Sequence, residues 1–310
     1  MTLDHETIEL LRGSIRGLLA EESNRSFASR LDDLGWNEVV AADEGAALVA
    51  LFSIKGEALS AVDALAPELL RLIVDRTGLD GSNTLLLPSP FGSVPGFVDG
   101  ITQSTELGER VVAVVDGRLV VAPSRLLQVR ELDATDSTLG HVRVCGDVGA
   151  ADIEFLDPTV LPAVETRARW LLAAELVGIG RHVISSAVEY TGQRVQYGKP
   201  IGVFQALQHR LASAYSLVVG ASHIVVEAAA TNDAWIALVA KCIAGRAAET
   251  ACTQAQQCYG AIGFTWEHEF HRYLRRTYLL DRMFGEWRDL EHEIGERLQA
   301  TRVVPRIGSL

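Results

Sequence analysis

Apolar residues recur at helical spacing through most of this chain and give way to alternation only in the middle. Near the N-terminus, Ile8, Leu11, Ile15, Leu18 and Leu19 form one stripe, and Leu31, Leu34, Trp36, Val39 and Val40 continue it. Ala46 to Leu65 and Leu69 to Val74 extend the helical pattern to about residue 78. Pro88, Pro90, Gly92, Pro95 and Gly96 then break it. Beyond them Arg110–Val115, Asp116-Gly117 and Arg118–Ala122 predict a β-hairpin, because Asp-Gly supplies a turn with two positive φ angles. His141–Cys145 and Ile153–Phe155 read as further short strands, and Pro158 and Pro162 close the region.

From about residue 165 the pattern is helical again. Trp170, Ala173, Ala174, Val177, Val183/Ile184 and Ala187/Val188 make one stripe. Leu207, Leu211, Ala214, Leu217/Val218, Ala221 and Val225 make a second. Trp235, Leu238/Val239, Cys242 and Ala248 make a third, and Tyr273, Leu274, Leu280 and Met283 begin a fourth. Short connections between long amphipathic helices predict an antiparallel four-helix bundle. The expected fold is mainly α with a small β domain. Its segments are an N-terminal helical domain over 1–85, a reduced middle β domain over 86–160 and a C-terminal bundle over 161–310. Gly178 and Gly180 read as close helix contacts rather than a dinucleotide fingerprint, since no strand precedes them and the third glycine is missing.

Composition narrows the function classes. The chain has 310 residues, 48% hydrophobic and 22% charged, with a formal charge of -12. Such acidity argues against a nucleic-acid partner, while leaving room for a local basic pocket where Arg272, Arg275, Arg276 and Arg282 gather. Cys145, Cys242, Cys252 and Cys258 have no metal spacing and read as small buried apolar residues in a reducing compartment. The acidic N-terminus lacks the basic and apolar regions of a signal peptide. The longest apolar stretches, such as Ala46 to Ile54, fall far below the ~20 residues a membrane span needs. A cytoplasmic protein without membrane association is expected.

Several motifs fail on inspection. Gly192–Pro200 is one residue too long for a phosphate loop and has proline where Ser or Thr belongs; His268-Glu-Phe-His271 is one residue short of a zincin motif, so no metal site is expected. Two segments survive: Arg194-Val-Gln-Tyr-Gly198 and Gln257-Cys-Tyr-Gly-Ala-Ile-Gly-Phe264, the latter continuing into Thr265-Trp-Glu-His-Glu269. Each follows a long helical pattern, so orphan N–H groups at a helix end, small residues and a guanidinium are expected to suit a pyrophosphate.

With Phe204-Gln205 between them, these segments resemble the acyl-CoA dehydrogenase family. That family carries Arg-x-x-(Phe/Tyr)-Gly, then Phe-Gln, then Gln-x-x-Gly-Gly-x-Gly-(Phe/Tyr); Ala261 here replaces the second glycine of the last motif. The resemblance spans roughly 165 to 300 and implies an FAD contacted across a subunit interface. Arg194 would face the pyrophosphate and Tyr197 would pack near the cofactor. Gln257, Gly260 and Ala261 would line the adenosine diphosphate, and Gln196 and Gln205 belong to the same set. Arg169 matches an arginine on the family's first bundle helix.

The family's reaction is α,β-desaturation of an acyl-CoA thioester: a glutamate removes the α-proton and the β-hydrogen leaves as hydride to the flavin. The two positions where members place that glutamate correspond to Phe284, before Gly285, and Ala168, before Arg169. No catalytic residue is therefore assigned. Glu286 and Glu165 lie nearby, the first read as a solvated residue near a helix start and the second as a first-turn carboxylate. The Pro88–Gly96 loop lacks the family's Thr-Glu and Gly-Ser-Asp elements, and no tryptophan lies between Trp36 and Trp170.

The resemblance thus implies the short subunit of a heteromeric dehydrogenase, an α2β2 assembly with a longer homologue, similar to split actinobacterial enzymes acting on bulky steroid-derived acyl-CoA. An electron-transferring flavoprotein is the family's expected acceptor. Two alternatives stay open: a homo-oligomeric enzyme with an unusual base such as Glu286, and a scaffold or thioester-binding protein without flavin.

Overall fold

A computed structural model describes residues 3–21, 25–89, 94–132, 136–149 and 152–305. By its contacts the chain separates into two compact units. One comprises 1–60, 169–281 and 285–310, and the other 61–168 with 282–284. This grouping differs in kind from three consecutive segments, because helices distant in sequence share one core.

The first unit begins with α1 (His5–Ala20), capped where the Asp4 carboxylate accepts from the Thr7 amide, and α2 (Phe27–Asp32). α3 (Trp36–Glu57) is bent at Asp43, which leaves helical φ/ψ and uses its carboxylate to accept from Ala46 N at 3.0 Å. Asp43 thereby caps the buried half of α3 from within the helix. The apolar pattern read as helical from Ala46 to Leu65 ends as helix at Glu57. After it Leu59 takes positive φ (49°), which stops propagation.

α5 (Val160–Gln193) starts in the second unit and runs through the first. It is followed by α6 (Gln205–Thr231) and α7 (Ala234–Tyr259). Asn232 (φ 49°) ends α6, and the Asp233 carboxylate caps α7 by accepting from Trp235 and Ile236 N. Two residues between long helices force antiparallel neighbours, as the sequence pattern required. α8 (Phe270–Arg282) and α9 (Trp287–Thr301) complete the unit.

α3 and α5 meet through glycine. A Cβ on Gly178 would lie 2.0 Å from the Ser53 carbonyl oxygen, and one on Gly56 2.1 Å from that of Glu175. Gly180 faces Val218 of α6 at 2.8 Å by the same construction. The close-packing role expected for Gly178 and Gly180 is what the helices use. Beside this seam lies a buried ionic group. Lys55 Nζ is 2.7 Å from Glu175 Oε1, and Arg276 reaches the same oxygen at 3.3 Å while donating to Ser60 O at 3.0 Å.

Two helices are long and apolar enough to cross a membrane by length and composition alone. The most apolar window of α5 is 72% buried in protein and that of α6 only 33%. The reading of apolar runs as too short is corrected here: interspersed alanines and glycines keep these helices apolar without an unbroken run.

The second unit holds α4 (Leu65–Thr77), stopped by Gly78, and two four-stranded sheets. The strands are β1 (Asn83–Leu85), β2 (Leu87–Pro88), β3 (Phe97–Thr102), β4 (Arg110–Val115), β5 (Arg118–Pro123), β6 (Gln128–Glu131), β7 (Val142–Asp147) and β8 (Glu154–Phe155). One sheet runs β1-β4-β5-β8 and the other β2-β3-β7-β6; only β1 and β4 pair in parallel. The expected hairpin is β4–β5, with Val115 opposite Arg118 and positive φ at Asp116 and Gly117. Leu86, Val98, Val111, Val120 and Val144 fill a core that draws on both sheets. On the face of the second sheet opposite to Val98 and Val144, Asp99, nearly inaccessible, is held by two Arg143 nitrogens at 2.8 and 2.6 Å.

Candidate functional site: an open set of donors at one end of the helix bundle

The C-terminal ends of α5 and α7 and the N-terminal end of α6 lie together in the first unit. Tyr259 of α7 donates its hydroxyl to Ser186 of α5 at 3.0 Å and meets Tyr190 edge-on at 5.2 Å. Arg210 of α6 donates to Gln254 of α7 at 3.0 Å. Arg194 follows the last residue of α5, Gln205 opens α6, and Gln257 lies in the last turn of α7. Chain direction therefore brings the two surviving motifs and Phe204-Gln205 to one end of the bundle.

Locally, Arg194–Pro200 is a small hairpin. β9 (Val195–Gln196) pairs antiparallel with β10 (Lys199–Pro200), and Tyr197 and Gly198 form the turn with φ of 53° and 74°. Positive φ at both central residues matches the right-handed twist of the flanking strands. The Arg194 carbonyl accepts from Ile201 N at 2.8 Å, tying the hairpin base to the segment before α6. Tyr197 is 91% exposed, its ring edge-on to Phe204. After α7, Gly260 adopts φ 63° and ψ -137°, a conformation left essentially to glycine, and the side-chain-poor Gly260-Ala261 stretch follows. Ala261 is exposed, as are Phe264 and Trp266 beyond it.

The side chains of Arg194, Gln196, Gln205 and Gln257 are all exposed, and none makes a hydrogen bond or ion pair among the described residues. One guanidinium and three amides thus stand open at one bundle end. A bidentate donor beside a loop that lets backbone approach closely suits phosphate oxygens. The expectation that orphan N–H groups sit at both motifs needs correction. α5 and α7 end there with their C-termini, which expose carbonyls and the negative end of the helix dipole. α6 turns its N-terminus this way without a side-chain cap from Phe204, and α8 begins nearby, its Phe270 ring 5.4 Å from that of Tyr259. The guanidinium and amides are what could attract an anion.

The positions matched to the family's glutamate hold no acid. Ala168 is fully buried, and Phe284 takes positive φ (57°) just before Gly285. Glu286 is the N-cap residue of α9 but gives it no side-chain cap; its carboxylate accepts from Arg288 at 3.2 Å. Glu165 falls in the second turn of α5 rather than the first, so the dipole argument for it weakens. The arginines read as a basic cluster serve other ends: Arg276 is buried against Glu175, and Arg275 lies 5.5 Å over the Trp266 ring. His268 precedes α8 and accepts from Phe270 N, so it shares no helix face with His271. No metal-binding group occurs among the described residues. Residues 90–93 of the Pro88–Gly96 loop lie outside the described residues.

Sequence reading passed over the buried Lys241 and the half-buried Arg181. Lys241 of α7 is inaccessible and donates to the carbonyls of Asp281 (2.7 Å) and Gly285 (3.0 Å), fixing both ends of the turn between α8 and α9. Arg181 sits on the buried stripe of α5 with Val177 and Ile184, and a cation at such a position is the signal that could have flagged it.

Comparison with known proteins follows the same lines. Residues 165–286 match the family model described as acyl-CoA dehydrogenase, C-terminal domain. Acyl-CoA dehydrogenase IpdE2 of Mycobacterium tuberculosis is 37% identical over 164 residues, which make up 52% of this chain and 51% of that protein. The chain thus matches about half the length of that relative. A variant of the Tcur3481-Tcur3483 steroid ACAD superposes with a TM-score of 0.75 at 21% identity, covering 96% of this chain and 99% of the other. The ChsE4-ChsE5 complex from Mycobacterium tuberculosis gives 0.74 at 20% identity, covering 98% and 99%.

The architecture is the acyl-CoA dehydrogenase fold, mainly helical with a β portion. Over residues 165–286 the chain is similar to the acyl-CoA dehydrogenase family, whose members are FAD-dependent flavoproteins.

Proposed function

We propose that this chain is one subunit of a heteromeric FAD-dependent acyl-CoA dehydrogenase and completes the cofactor site of a longer partner. One observation carries the reading: four unpaired donors gather at one bundle end while both base positions hold apolar side chains. The donors fit the pyrophosphate and adenosine part of FAD. Arg194 would grip phosphate oxygens, Gln196, Gln205 and Gln257 would orient them, and Gly260-Ala261 would admit the backbone. Tyr197, almost wholly exposed, would pack beside the cofactor. FAD, when bound, supplies the hydride acceptor. The base, and the residues that hold the reacting thioester, would come from the partner.

Two further points support an assembly. Tyr215 and Val226, eleven residues apart and both more than half exposed, share one side of α6, the helix that Gln205 opens. Solvent-facing apolar surface of this kind marks a protein interface. The steroid ACAD and the ChsE4-ChsE5 complex among its structural neighbours support a heteromer, taken here as α2β2, that acts on a bulky, steroid-type acyl-CoA. An electron-transferring flavoprotein is the natural acceptor.

Native mass spectrometry of the protein isolated from its host tests the reading. Two short and two longer chains with two FAD are expected, and Arg194→Ala should lower FAD retention at least tenfold while leaving the assembly intact. Four copies of this chain with four FAD and full dehydrogenase activity would overturn it.

A further inference from the structure

We infer that a cavity enclosed by α1, α3, α5 and α6 binds a small monocarboxylate with an apolar body, anchored by Arg181. The cavity measures about 470 Å³, within the range of small-molecule sites, and lies wholly within the first unit. Ile8, Val49, Val177 and Val225 give it apolar walls. The inference rests on the proposed function only in leaving the neighbouring groove at the bundle end to the partner subunit.

Charge chemistry at its wall selects the ligand. Arg12 is engaged by Glu57 at 2.8 Å and lies 3.6 Å from Glu9. Asp43 accepts from the amides of Leu3 and Ala46. Arg181 is half-buried and makes no hydrogen bond or ion pair among the described residues. A half-buried guanidinium without an acceptor is costly, and an incoming carboxylate would accept from it with two oxygens. Burial first, then the neighbouring Arg12, pull its pKa below the ordinary arginine range, so an anion here would relieve both effects. The acids Glu9 and Asp43 also line the cavity and disfavour a phosphate dianion. His5 and His223 also line the cavity.

A second groove of about 700 Å³ also reaches Arg181, lined by Val188, Leu207 and Tyr215. It lies toward the bundle end assigned to the partner subunit, so the ligand is placed in the other cavity.

Calorimetry and thermal melts of the full chain with decanoate, and with methyl decanoate as uncharged control, test the assignment. Decanoate should bind and raise the melting midpoint, and the ester should bind at least tenfold more weakly. Arg181→Gln should remove that preference, with Arg181→Lys restoring part of it. Val49→Trp should abolish binding by filling the cavity, while Val188→Trp, in the second groove, should not. Equal binding of acid and ester, no binding of decanoate, or loss only with Val188→Trp would each overturn the inference. The acid–ester comparison uses the unaltered chain and decides the matter even if a variant fails to fold.

Discussion

Replacing Lys241 by methionine tests whether the α8–α9 turn is held by a buried cation. The ammonium is inaccessible, donates to two carbonyls and stands 3.4 Å from Asp281 Oδ1. Burial pulls its pKa down to about 8 and pushes that of Asp281 up, so desolvation outweighs the attraction between them. Such a pair adds little net stability, yet removing one partner strands the other. In Lys241→Met the Asp281 carboxylate keeps only a long contact from Trp287 N at 3.4 Å, and two carbonyls lose their donor. The expected loss is about 3–5 kcal/mol. Adding Asp281→Asn removes the stranded charge and should recover about 1–3 kcal/mol. Urea unfolding followed by circular dichroism reads both values.

The pH dependence has a definite sign. Between about 8 and the ordinary lysine value of 10.5, the unfolded chain keeps a proton that the native chain has lost. Native stability conferred at this site therefore rises with pH across that window, by up to about 1.4 kcal/mol per unit. Lys241→Met should lack this slope relative to the unaltered chain. A loss below 1 kcal/mol, a double variant as unstable as the single, or identical slopes would refute the reasoning.

Glycine substitutions should split by location. Gly178→Ala places a methyl group 2.0 Å from the Ser53 carbonyl and should cost about 1–3 kcal/mol or more, whereas Gly220→Ala, with open space around it, should stabilise α6 by about 0.5–1 kcal/mol. Thermal melts would show opposite shifts. His182 stacks on Tyr273 at 4.4 Å, and burial lowers its pKa below 6.5. The unfolded chain then binds a proton first as pH falls through 6.5, so stability drops on acidification from there to the lowered native value. His182→Phe should flatten that part of the stability profile; an unchanged profile would show that other groups govern it.

Local chemistry was the legible part of this chain. Asp116-Gly117 demands a primed turn whatever surrounds it, and β4–β5 follows in the register that turn fixes. The stripes of α5, α6 and α7 carry their periodicity within the sequence itself. β3 was not read, because Asp99 and Gly100 interrupt its apolar pattern; the compensation is an Arg143 pair from β7, a partner distant in sequence. The site residues are brought to one bundle end, but helix polarity there was misjudged. Sequence marks where a helix stops more readily than which pole faces a ligand. The Arg194–Pro200 hairpin escaped notice because its strands have two residues each and Tyr197, not glycine, takes the first positive φ. Arg181 was passed over because its neighbours in the fold, not in the chain, make it unusual.

Only a third of the most apolar window of α6 is covered by the chain itself. In the heteromer proposed above, a copy of this polypeptide made without its partner would be a sticky intermediate, competing between assembly, self-association and proteolysis. Its abundance in a cell would then track that of the companion chain rather than its own rate of synthesis. Coexpression with a longer homologue should raise its soluble yield above that of the chain expressed alone.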